Sequence, residues 1–155
     1  MGYDSTFRGE FKLNKSLTVK DYKFLKNFSE TRRMKRNLPE EYGVEGEFYV
    51  EGKGYGGQDR NDPSIINFNS PPSTQPGLWC QWIPNEEGDA IVWDGGEKFY
   101  NYVEWIQYLI DKILSPRGYI LNGEVFWQGE DSDDEGKIVV KDNIVETKTV
   151  QKTYI

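Results

Sequence analysis

Phe7, Phe11 and Leu13 fall at odd positions on either side of Gly9, the period of two expected of a half-buried β-strand. Beyond a polar break, Thr18 precedes Val19, Tyr22, Leu25 and Phe28 at spacings of three, with Asp21 placed as in a capping box. This spacing predicts a helix from about 18 to 33. Glu47 to Val50 reads as a short strand. Residues 52–77 form a Gly- and Pro-rich loop of a length uncommon in compact domains. Its middle, Ile65-Ile66-Asn67-Phe68, reads as a short strand or a lid segment. Leu78 to Ile83 and Ala90 to Trp93 flank Asn85-Glu86-Glu87-Gly88 as the arms of a hairpin. From Glu97 to Leu114, Phe99, Tyr102, Val103, Ile106, Leu109, Ile110 and Ile113 recur at three and four, the clearest helical face in the chain. Ser115-Pro116-Arg117-Gly118 stops that helix. Residues 119–128, 137–141 and 144–151 read as three further strands, with Asp142-Asn143 a tight turn between the last two. The order predicts an α+β fold: a mostly antiparallel β-sheet with two α-helices packed on one face.

Composition narrows the chemistry more than it changes this picture. A chain of 155 residues is one domain's worth, so residues 1–155 are expected to share one core. With 36% hydrophobic and 15% aromatic residues there is enough apolar material to build it. No apolar run approaches the ~18–20 residues of a membrane span, and the first residues lack the order of a signal peptide. The expectation is a cytoplasmic protein with no membrane partner. The chain has no histidine, which removes the usual base near neutral pH and every triad or dyad built on imidazole. One cysteine, Cys80, lies in the apolar run Leu78-Trp79-Cys80-Gln81-Trp82-Ile83 and reads as an inert buried thiol.

Charge is divided along the chain. Residues 1–37 carry ten Lys or Arg against four Asp or Glu, net +6; residues 38–155 carry nine against twenty-two, net −13. In Arg32-Arg33-Met34-Lys35-Arg36, the guanidinium groups of Arg32, Arg33 and Arg36 either contact a phosphate-bearing ligand or form a solvated helix end. An isoelectric point near 4.7 argues against direct nucleic-acid binding. Opposite in sign are Glu130, Asp131, Asp133, Asp134 and Glu135, an acidic patch suited to a basic partner. Within it, Asp131, Asp133, Glu135 and Asp142 approximate the spacing of an EF-hand loop, with Gly136 at its turn position. Position 12 holds Asp where the longer Glu is normal, and the flanks read as strands. A solvated hairpin turn is therefore expected, with weak Ca²⁺ or Mg²⁺ binding as the alternative. Trp79, Trp105 and Trp127 are candidate aromatic anchors, since rings left at a surface dominate interfaces and stack on bases. Gly52-Lys53-Gly54-Tyr55-Gly56-Gly57 lacks the Gly-Lys-Ser/Thr ending of a phosphate loop and reads as a turn.

Tyr3-Asp4-Ser5 with Gly9-Glu10-Phe11, Leu78 to Trp82, Trp93-Asp94-Gly95-Gly96-Glu97-Lys98-Phe99-Tyr100 and Asn122 to Asp131 together resemble a family of small phage and bacterial proteins. The resemblance implies a phage-related accessory role, in the host cytoplasm if phage-encoded, and carries over no activity, cofactor or catalytic residue. From the residues, the expected function is a non-catalytic acidic binding or inhibitory protein that acts on another protein, such as a host defence or nucleic-acid-binding component. The alternatives are a nucleotide-like ligand pocket walled by aromatic rings, and an enzyme using carboxylates with Mg²⁺.

Overall fold

In the computed structural model, which describes residues 2–50 and 60–149, Ser5–Leu13 form β1 and Val19–Glu30 form α1. Lys35–Arg36 (β2), Ile65–Asn67 (β3), Trp82–Pro84 (β4) and Ala90–Trp93 (β5) follow. Tyr102–Leu109 form α2, then Leu121–Gly129, Glu135–Lys141 and Ile144–Thr149 form β6, β7 and β8. Six strands build one antiparallel sheet in the order β4-β5-β1-β6-β7-β8, and β2 pairs with β3 apart from it. This is the α+β arrangement that the hydrophobic pattern predicts. No helix among the described residues is long and apolar enough to cross a membrane.

Alternation along the strands sets the two faces. Phe7, Phe11, Val125, Trp127, Ile138 and Val140 point inward, into one cluster with Leu25 and Phe28 of α1 and Trp105, Ile106 and Leu109 of α2. Register places Arg8, Phe126, Lys137 and Lys148 abreast on the outward face, where Arg8 lies 5.3 Å from the Phe126 ring centre. Burial of each large side chain stabilises the fold by ~1.5–3 kcal/mol before entropy is counted.

Element ends differ from the expectation where side chains are needed elsewhere. α1 stops at Glu30 rather than at 33. The Thr31 hydroxyl bonds back to the Asn27 carbonyl, and the chain turns extended so that the Arg33 N–H reaches the Leu78 carbonyl. Residues 97–101 are not helical. Phe99 is buried there beside Phe7 and Trp82, held by Lys98 and Asn101, both at φ +58°. α2 then continues through a π turn at Ile110–Leu114 and a 3-10 turn at Ser115–Arg117. Leu78 to Gln81 are irregular, so only Trp82–Pro84 form the first hairpin arm. Glu47 to Val50 are not a strand, because Glu47 and Phe48 continue a turn that follows a 3-10 segment at Val44–Gly46. The Gly52–Gly57 stretch, and the end of the last expected strand beyond Thr149, lie outside the described residues.

Candidate functional site

Antiparallel pairing brings the start of β1, the end of β5, the end of β6 and the start of β7 to one end of the sheet. Their loops are knitted together there. The Tyr3 hydroxyl donates to Asp134 Oδ2 at 2.7 Å and accepts the Asp131 N–H at 3.1 Å. The Asp4 N–H donates to Glu130 Oε1 at 2.7 Å, and the Lys98 N–H donates to Asp4 Oδ1 at 3.0 Å. The Tyr3 N–H reaches the Tyr100 hydroxyl, and the Trp127 indole N–H donates to Asp134 Oδ1 at 3.0 Å.

Charge at this end is one-sided. Residues 2–4, 94–104 and 129–135 carry nine acids, namely Asp4, Asp94, Glu97, Glu104, Glu130, Asp131, Asp133, Asp134 and Glu135, against Lys98 alone, net −8. The rest of the sequence carries seventeen acids and eighteen bases, net +1, so the chain's net negative charge comes from these segments. The Tyr3 phenol registers this field. The Asp131 N–H favours its ionised form, but the bond to Asp134, burial and the nearby charges together raise it above its ordinary value. Burial and then the charges of Asp134 and Glu104 push Tyr102 up to about 12. Burial also lifts the Asp94 carboxyl, against the pull of the Gly96 N–H.

The expected acidic patch therefore has two kinds of member. Asp134 and Glu130 hold the fold through Tyr3, Trp127 and Asp4. Asp131 and Asp133 are exposed, with no side-chain hydrogen bond to the described residues. Glu135 opens β7 opposite Gln128. Asp142 stands in the turn beyond the far end of β7, whose Glu135–Lys141 span is roughly 20 Å at ~3.4 Å per residue. Asp131, Asp133, Glu135 and Asp142 thus do not converge. Among the described residues, no group of three or more carboxylate or thiol side chains is placed to hold a metal ion.

The arginines and two of the tryptophans are corrections. Arg33 and Arg36 are 3% and 2% exposed, so they are neither a solvated helix end nor open to a phosphate. Arg33 donates to the carbonyls of Thr31, Glu47 and Tyr49 and stacks on Phe28. Burial pulls it down to about 9, which leaves it charged at neutral pH. Arg36 stacks on Tyr49 and donates to Ser64. Arg32 is half-buried, lying on the Phe68 ring with Arg60 near the same ring. Trp105 and Trp127 are buried and cannot anchor a partner: Trp105 lies on α2 against Phe28 of α1, and Trp127 points inward from β6 onto Tyr102. Trp79 is half-buried. Cys80 is buried, and burial pushes its thiol up to about 12, as an inert thiol requires.

Two features carried little sequence signal. One is a buried network in which Glu47 Oε1 accepts the Tyr108 hydroxyl at 2.6 Å and the Thr74 hydroxyl at 3.1 Å, while Gln75 Nε2 donates to Tyr108 and to the Glu47 carbonyl. The other is a groove of about 590 Å³ lined by Phe24, Tyr42, Phe48 and Val50 together with the charged Lys20, Arg117 and Glu41. Asp4, Glu97, Tyr100 and Glu104 lie on loops and the start of α2 that the strand ends bring together, so the one available sign was the register of the strand ends. Comparison of the chain with protein-family models, curated proteins and solved structures finds no match.

Proposed function

We propose that the protein is a non-catalytic binding module that docks its acidic end onto a basic surface of another protein. The observation that carries this reading is the confinement of the net charge to one end of the sheet, around the half-exposed Tyr100 ring. Concentrated charge of one sign steers encounter with an oppositely charged surface and rejects like-charged ones. A solubilising surface would spread it instead. Asp131, Asp133 and Glu97 supply exposed carboxylates, and Tyr100 supplies an aromatic contact where Trp105 and Trp127 cannot. Basic surfaces of this kind are what nucleic-acid-binding proteins present to phosphates, so such a protein is the partner class this end fits.

The test is a titration of an Arg-rich peptide against the wild type and against two variants of equal charge change. D131N/D133N/E97Q neutralises the acidic end, whereas E41Q/E86Q/E87Q removes three carboxylates elsewhere. At low salt the first variant should lose at least about tenfold in affinity and the second should keep it. Equal affinity in all three proteins would sink the proposal.

A second reading, a small-ligand pocket, is supported by the groove between α1 and residues 41–50. Its rings offer a stacking wall, and Lys20 and Arg117 outnumber the one lining carboxylate, Glu41, which together suit a planar anionic ligand such as a nucleotide. This relocates the cationic contact from Arg32, Arg33 and Arg36 to Lys20.

A further inference from the structure

β8 is an edge strand, paired with β7 alone. The β7–β8 connection is a two-residue turn with Asp142 at φ +49° and Asn143 at φ +68°, the type I′ geometry in which the flanking residues Lys141 and Ile144 form a hydrogen-bonded pair. Alternation then fixes every residue of β8. Ile144, Glu146 and Lys148 turn their backbone groups toward β7, and Val145, Thr147 and Thr149 turn theirs away. No backbone bond joins this outer edge to another described element. The strand has neither a proline nor a bulge, and no helix among the described residues covers it; its edge protection is limited to the charges of Glu146 and Lys148.

The edge is complementary to itself. When two copies of β8 lie antiparallel about a two-fold axis through Thr147, Thr147 faces Thr147, Val145 faces Thr149, and Glu146 faces Lys148 twice. In this register the outward N–H and C=O groups of residues 145, 147 and 149 all meet partners. Glu146 and Lys148 fall at the non-hydrogen-bonded positions, where side chains approach most closely. Both lie on the outward face of the sheet, so the opposite charges meet on the same side. Centring the axis on Val145 or Thr149 would leave part of the strand unpaired.

We infer that β8 is a homodimerisation edge, joining the six-stranded sheets of two copies into one twelve-stranded sheet about Thr147. Two paired strands bury less than the ~1,200 Å² of a standard interface, so the dimer is weak and concentration-dependent. Sedimentation equilibrium and backbone amide exchange test it together. Raising the wild type toward about 1 mM should shift its mass toward a dimer and protect the Val145, Thr147 and Thr149 amides. T147P removes an N–H that the β7–β8 ladder does not use, so it should remain folded and monomeric. E146K and K148E should each weaken the dimer at least fivefold, and E146K/K148E should restore it, which a nonspecific contact would not do. A monomeric wild type at the highest concentration would overturn the inference. Protection of the three amides in a monomer would also overturn it, by assigning the edge to the chain itself.

Discussion

At the scale of single residues, Arg33 shows how a charge is kept inside a small protein. Its guanidinium satisfies three carbonyls that have left regular structure, those of Thr31, Glu47 and Tyr49, and its flat face lies 4.1 Å from the Phe28 ring centre. Replacement by Met fills the volume but orphans the Thr31 and Tyr49 carbonyls, at ~1–3 kcal/mol for each buried group left without a partner, while the Glu47 carbonyl keeps the Gln75 amide. Replacement by Lys keeps the charge, but its point-like ammonium cannot reproduce the planar fork. R33M should therefore lose about 3–5 kcal/mol in urea unfolding and R33K somewhat less, both with little change in m-value. A loss below about 1 kcal/mol for R33M would mean that the carbonyls find other donors. The run Arg32 to Arg36 suggested a surface feature because composition registers charge and not burial. The carbonyls that pull Arg33 inward belong to irregular segments at 31 and 47–49, and no local pattern announces them.

At the scale of elements, β1, β6 and β7 were legible because each alternates over seven residues or more with one face against the core, and β8 because it follows the Asp142-Asn143 turn. β2 was not, since a strand of two residues carries no periodicity, whereas β3 falls within the Ile65–Phe68 run that reads as a short strand or a lid segment. The start of α2 was misread for a related reason: Phe99 continues the helical spacing, yet it reaches the core from a loop held by two left-handed residues. Gly9 and Gly123 mark a subtler constraint. They flank the Glu10–Glu124 pair at φ +110° and +148°, and a Cβ at either would stand 2.5 Å from the carbonyl oxygen of the opposing glutamate. The central pair of strands is thus closed by two glycines that only a tight backbone approach explains. G123A and G9A should each cost more than about 2 kcal/mol, through strain at positive φ and the carbonyl clash together. Alanine in place of the glycine at 95, whose added Cβ would meet no atom within 4 Å though φ is +82°, should cost less in the same thermal or urea assay.

Across the whole molecule, the acidic end sets binding against folding. Asp134 and Glu130 contribute to stability through Tyr3, Trp127 and Asp4, but Asp131 and Asp133 face solvent beside them and repel their neighbours. Carboxylates packed this closely at a sheet end destabilise the compact state, and salt screens that cost over a Debye length of ~10 Å at 0.1 M. If the end exists to meet a basic surface, the exposed members should be a burden on the isolated fold. D131N/D133N should then melt a few degrees higher than the wild type at low ionic strength, with the difference shrinking as salt is added. D134N should melt lower at every salt concentration, because the bonds from Trp127 and Tyr3 lose a charged acceptor. A Tm that falls in D131N/D133N would show that these carboxylates hold the loop, and would remove the reason to read this end as a surface shaped for a partner. The sequence exposed the raw charge of Glu130 to Glu135 but not this division of labour, because it depends on which carboxylates Tyr3 and Trp127 reach across the sheet end.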